Sequence, residues 1–202
     1  MKNKIRKIYI VLTYTGTILS KIIRVYTGAE YCHVSLSLDK RLNKMYSFGR
    51  LNPYNPFMGG FVHEGINIGT FKRFKKTKAE IYEIEITNEQ YNKIRQEIKN
   101  INKNRKKYKF NRTGLFLSAI NYKYTKNNSF YCAEFVKHLI DIADIDMNLP
   151  STVKPIDFKK YNNLDLLYRG NLRNYNWYYN FLLFKNKKYY IINMVMIWII
   201  KL

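Results

Sequence analysis

Asn128-Ser-Phe-Tyr-Cys-Ala-Glu-Phe-Val-Lys-His-Leu-Ile140 sets a cysteine directly after a polar turn, at the head of an apolar-periodic segment. Phe135, Val136, Leu139, Ile140 and Ala143 recur at three- and four-residue intervals. This spacing predicts an amphipathic helix, buried on one side and ending near Asp144 to Asp146. Cys132 falls on its first turn. There the unpaired N–H groups and the positive end of the helix dipole favour an anion, which is one way a cysteine nucleophile is made. On position alone a buried structural cysteine is the commoner outcome, so the reading depends on whether the chain supplies a base.

Three histidines are available. His138 lies six residues past Cys132, roughly 240° round the helix, and so faces away from the thiol. His63 sits in a glycine-rich stretch where no pattern fixes its position. His33 opens the alternating part of Glu30-Tyr-Cys-His-Val-Ser-Leu-Ser-Leu-Asp39, in which Val34, Leu36 and Leu38 interleave with His33, Ser35 and Ser37. That alternation predicts a half-buried strand with His33 on its polar face. Packed against the Cys132 helix, the strand can present the imidazole to the sulfur, and His33 is the expected base.

Around these two segments the chain reads as one domain, 1–175, followed by a tail, 176–202. Lys7 to Tyr14 predicts a buried strand, and Ile18 to Tyr26 a helix closed by Gly28. A second strand is expected at Lys44 to Phe48. The Gly- and Pro-rich segment Gly49 to Gly69 predicts a long loop enclosing a brief strand at Phe61 to Glu64. The basic cluster Lys72 to Lys78 reads as a solvated face. Ala79 to Ile86 predicts a strand, and Thr87-Asn-Glu-Gln90 a capping box opening a helix with Tyr91, Ile94, Ile98 and Ile101 inward. Thr113 to Asn121 is apolar and fits either helix or strand. Leu149 to Pro155 is a Pro-rich connection, and Ile156 to Tyr175 reads as a closing segment on the surface.

The chain has 202 residues, a formal charge of +22 and a pI near 9.9. Polyanions such as nucleic acid, anionic lipid or an acidic polymer will attract it. Basic residues are spread along the whole chain, so the charge is not read as specific nucleic-acid recognition. Cys32 and Cys132 lack the spacing of a metal site, and no cofactor is expected. The basic N-terminus followed by Ile8 to Leu12 starts like a secretory signal, but Thr13 to Thr17 break the apolar run. A cytoplasmic protein is expected, membrane-peripheral at most. The apolar run Tyr189 to Ile200 is shorter than the about 20 residues that span a bilayer, which makes the tail a candidate interfacial anchor on an anionic membrane, a partner-binding segment, or an extension with no role.

The order Tyr-Cys-His-Val-Ser-Leu-Ser-Leu-Asp39, then Met-Tyr-Ser-Phe-Gly-Arg50, then Phe-Tyr-Cys-Ala-Glu-Phe-Val136 resembles the circularly permuted NlpC-type papain-like proteins of the YiiX kind, in which the histidine precedes the cysteine helix. The resemblance covers roughly residues 7 to 175. It implies an α+β fold in which an antiparallel sheet carrying the histidine packs against the cysteine helix. It further implies acyl transfer through a thiol, with Cys132 as nucleophile, His33 as base and the Cys132 N–H in the oxyanion site. The family commonly has a polar residue, often glutamate, on the strand after the histidine, but that strand offers only Tyr46 and Ser47. Glu64 on the next strand is preferred as the residue orienting the imidazole, with Ser47 the alternative. Cys32 is expected on the opposite face, in a structural role.

Three functions follow as expectations. The first is a thiol hydrolase cleaving amide bonds in peptides or peptidoglycan stems through an acyl-cysteine. The second is a lipid acyltransferase or phospholipase like the lecithin:retinol acyltransferase group, acting on acyl lipids. The third is a binding module with an inactive site.

Overall fold

The structure is a computed structural model that describes residues 4–17, 20–21, 24–25 and 28–183. Its strands are β1 (Ile5–Tyr14), β2 (His33–Ser37), β3 (Met45–Asn52), β4 (Asn55–Glu64), β5 (Lys78–Thr87), β6 (Lys109–Phe110), β7 (Ser129–Phe130) and β8 (Asp165–Asn171). Six of them form one sheet, in the order β4-β3-β2-β1-β5-β8, while β6 and β7 make a short separate pair. Every neighbour in the large sheet runs antiparallel. The helices are α1 (Gly69–Arg73), α2 (Asn88–Lys103), α3 (Arg112–Ala119) and α4 (Cys132–Ile142). The class is α+β, as expected.

Strand β1 sits in the middle of the sheet and is apolar on both sides. Ile8, Ile10 and Leu12 join a core with Val34 and Leu36 of β2, Ile94 and Ile98 of α2, and Phe135, Val136 and Leu139 of α4. Tyr9 and Val11 point the other way, into a second cluster with Met45, Ile81, Phe71, Leu172 and Tyr175. Both faces of the sheet are therefore covered, and this corrects the expectation for β2. Its polar side is not solvated: Ser35 and Ser37 are fully buried, because the second cluster closes over that face.

The stretch expected as a long loop is mostly a hairpin, with β3 and β4 joined through Pro53 and Tyr54. Pro56 is tolerated because β4 is an edge strand. A glycine is needed at position 59, where a Cβ would lie 2.6 Å from Cγ of Phe110. The closing segment holds a 3-10 turn, Pro155–Lys160, which buries Asp157 and Phe158, and then β8, which pairs with β5 at the other sheet edge. Residues 113–119 are helical, with Asn111 accepting from the Gly114 N–H at 2.8 Å as N-cap. The basic cluster divides between α1, a turn and the start of β5. The capping box stands as read: the Gln90 N–H donates to Thr87 Oγ1 at 3.2 Å, and the Thr87 N–H to Gln90 Oε1 at 3.0 Å.

Of the helix expected at 18–26, residues 20–21 and 24–25 are helical, and the others lie outside the described residues. The apolar run at 189–200 also lies outside them. Residues 175–183 are helical, and Tyr178 and Tyr179 pack against the second cluster. No helix among the described residues is long and apolar enough to cross a membrane.

Phe135 joins α4 to the sheet: it is fully buried, with ring centroids 5.2 Å from Phe48 and 5.8 Å from Phe61. Phe135→Ala is expected to lower the unfolding free energy in a urea titration by roughly 3–5 kcal/mol. A loss no larger than at an exposed position would place Phe135 outside the core.

Candidate active site

Alternation along three adjacent strands assembles the polar side chains. The pairing of Thr13 with His33 and Val11 with Ser35 puts His33 and Ser35 on the face of the second cluster. Met45 pairs with Glu64, and Ser47 with Val62, so Ser47 and Glu64 occupy that face as well. On it the His33 Nε2–H donates to Glu64 Oε1 at 3.1 Å. The Ser35 hydroxyl donates to Glu64 Oε2 at 2.5 Å. The Phe71 ring of α1 lies beside the imidazole in a tilted arrangement, with centroids 6.3 Å apart.

Cys132 lies close enough to His33 for its sulfur to favour the charged imidazole. With Nε2 turned to the carboxylate, Nδ1 is the ring nitrogen left for the sulfur. Cys132 is buried at the first residue of α4. That helix start is fixed by Glu134, which accepts from the Tyr131 N–H at 3.0 Å and from Asn111 Nδ2 at 3.1 Å. Asn111 also donates to the Tyr124 carbonyl at 3.1 Å, tying α3, the following loop and α4 together.

Burial alone would lower the basicity of His33, but the Glu64 charge, then the contacts with Cys132 and Glu64, outweigh it and push the imidazole up to about 10. The imidazolium is therefore the favoured form at neutral pH. Glu64 is shifted in the opposite sense: burial would raise it, yet the His33 charge and the hydrogen bonds from His33 and Ser35 hold it below the usual carboxylate range. Ser47 lies close enough to favour the charged carboxylate, but its Oγ makes no well-formed hydrogen bond among the described residues. Of the two candidates for the orienting residue, the structure places Glu64 on the imidazole and Ser47 behind Glu64.

The other two histidines are held elsewhere. His63 is the neighbour of Glu64 in β4 and so projects to the other face, where its Nε2–H donates to the Asn43 carbonyl at 2.6 Å. His138 pairs with Glu97 at 2.9 Å. Cys32 is buried, which pushes its thiol up to about 12 and leaves it neutral at physiological pH.

Sequence reading missed Ser35, Gly49 and the Asn111–Glu134 pair. Ser35 was accessible, since it shares a strand face with His33 by period 2. Gly49 had no signal: only the structure shows that a Cβ there would lie 3.2 Å from Ser47 Oγ, 3.3 Å from Glu64 Oε1 and 3.4 Å from His33 Cε1. A cavity of about 300 Å³ is lined by Arg50, Phe61, Glu64, Ile68, Phe71 and Arg105, among others. Comparison of the chain with protein-family models, with curated proteins and with solved structures finds no match in any of the three.

The opposed shifts give a signed pH dependence. His33, raised in the folded state, contributes stability that is complete below its ordinary value of 6.5 and is lost as pH rises through about 10. Glu64, lowered when folded, contributes stability above its ordinary value of 4.5 that is lost as pH falls. The stability advantage of the wild type over His33→Ala is therefore expected to shrink between pH 6.5 and about 10 in denaturant titrations. In Glu64→Gln, the His33 ring is expected to titrate lower by NMR than in the wild type, because the Glu64 charge that opposes burial is gone. An unshifted His33 titration in that variant would contradict the pairing.

Proposed function

We propose that the protein is a thiol hydrolase that cleaves amide bonds by acyl transfer on a permuted papain-like scaffold. Cys132 is the nucleophile, His33 the acid and base, and Glu64 the residue that orients His33. The observation that carries this reading is the hydrogen bond between the His33 imidazole and Glu64 with Cys132 close beside it, three side chains brought together from separate elements. A buried carboxylate and imidazole are costly to assemble on a sheet face, and a structural cysteine has no need of them.

In the proposed reaction the sulfur attacks as the thiolate, its proton already held by His33 in the charged form described above, and adds to the carbonyl carbon of the substrate. The carbonyl oxygen takes up negative charge at the start of α4, where the Cys132 N–H and the helix dipole stabilise it. The tetrahedral centre collapses, the C–N bond breaks, and His33 gives its proton to the departing amine. Water, deprotonated by His33, then adds to the acyl-cysteine and releases the acid and the thiol. Glu64 keeps Nε2–H occupied, so Nδ1 stays directed at sulfur and the charged imidazole is compensated.

Alkylation by iodoacetamide at neutral pH tests the nucleophile. Cys132 is expected to react far faster than Cys32, and His33→Ala is expected to slow Cys132 roughly 100-fold. Equal, slow alkylation of both thiols would leave a binding module in place of an enzyme. Gly49→Ala is expected to retain the fold while lowering Cys132 reactivity, because the new Cβ presses on Ser47 and on Glu64, the partner of His33.

A further inference from the structure

Residues 98–133 contain nine Lys or Arg and no Asp or Glu. The structure folds the second half of this stretch into α3 and the loop after it, immediately beside the start of the Cys132 helix. Gly114 and Ser118 face inward. On the outside, Phe116 is 60% exposed, Ile120 70% and Tyr122 60%. Phe116 and Ile120 are one helical turn apart and so stand on one side, and Lys123 and Lys126, also exposed, flank Tyr122 and Tyr124.

Neither the core nor the proposed catalytic line uses these side chains. Large apolar groups that remain in water on a basic stretch of chain that holds no acid mark an interaction surface. We propose that this surface docks the protein on an anionic lipid bilayer, with Phe116, Ile120 and Tyr122 entering the headgroup and acyl boundary and the lysines pairing with lipid phosphates. The chemistry favours a bilayer over the other polyanions. Ile120, the most exposed of the three, has no π-face on which a nucleobase could stack. A bilayer accepts aliphatic, aromatic and cationic groups at neighbouring depths, with tyrosine rings at the level of the headgroups.

The surface is also fixed relative to the candidate site. Asn111 caps α3, donates to the Tyr124 carbonyl in the loop, and donates to Glu134 in the first turn of α4. Docking through Phe116 and Ile120 would hold the start of the Cys132 helix close to the lipid surface. Binding does not depend on any chemistry at Cys132, so the two proposals can fail separately.

The test is co-sedimentation of the full chain with vesicles of phosphatidylcholine containing phosphatidylglycerol. Binding is expected to fall with added salt and to weaken about tenfold or more in the triple variant Phe116→Ser, Ile120→Ser, Tyr122→Ser. All three residues are exposed, so its thermal unfolding should match the wild type. Trp177→Ser with Phe181→Ser, on the helical segment at 175–183, serves as the comparison and is expected to retain most of the binding. The proposal is overturned if the wild type does not bind these vesicles, if the triple variant binds as well as the wild type, or if only the Trp177 and Phe181 changes release it. Loss of oligonucleotide binding in the triple variant, with no vesicle binding by the wild type, would likewise overturn it and assign the surface to nucleic acid.

Discussion

A carboxylate and an imidazole lie side by side on a sheet face that is otherwise closed by apolar side chains. Neither group would tolerate that position alone, because removing an unpaired charge from water costs several kcal/mol or more. Together each holds the other in its charged form, and Ser35 satisfies the second carboxylate oxygen. The pair therefore requires strand register. Glu64 reaches His33 only while β4 lies on β3 with Met45 opposite Glu64. A slip of one residue would bring His63 to that face and send Glu64 to the other.

The remaining architecture serves to bring a sulfur to this pair. Helix α4 packs its apolar side on the sheet through Phe135, Val136 and Leu139. That sets the position of the helix, while its start is set separately by polar contacts, with Glu134 held by the Tyr131 N–H and by Asn111. Glu134 is itself half-buried, and burial pushes its carboxyl up. The anchor thus keeps the carboxyl turned back onto the backbone of the helix start. Gly49 completes the arrangement by leaving room between Ser47, Glu64 and His33.

Helical periodicity was enough to find α4 and to exclude His138, because angle follows directly from spacing along a helix. Alternation was enough to find β2 and to choose His33. It could not show that Ser35 and Ser37 are buried, since what covers the polar face of a strand comes from distant segments, here Phe71, Leu172 and Tyr175. Glu64 was legible only as a preference, because cross-strand register is decided by turn geometry, and the Pro53–Tyr54 turn was read as part of a longer loop. Strand β8 was missed for a related reason: Asp165 to Asn171 has no clean alternation, and it becomes a strand by pairing with β5 at an edge.

The central claim is that Cys132 forms a covalent acyl intermediate with His33 as its proton partner. Rapid mixing of the full chain with p-nitrophenyl acetate, followed by acid quench and peptide mapping, tests it most directly. The account predicts an initial burst of nitrophenol with acetyl on Cys132, absent in Cys132→Ser and slowed in His33→Ala. Acetylation confined to lysines or to Cys32, without a burst, would contradict it.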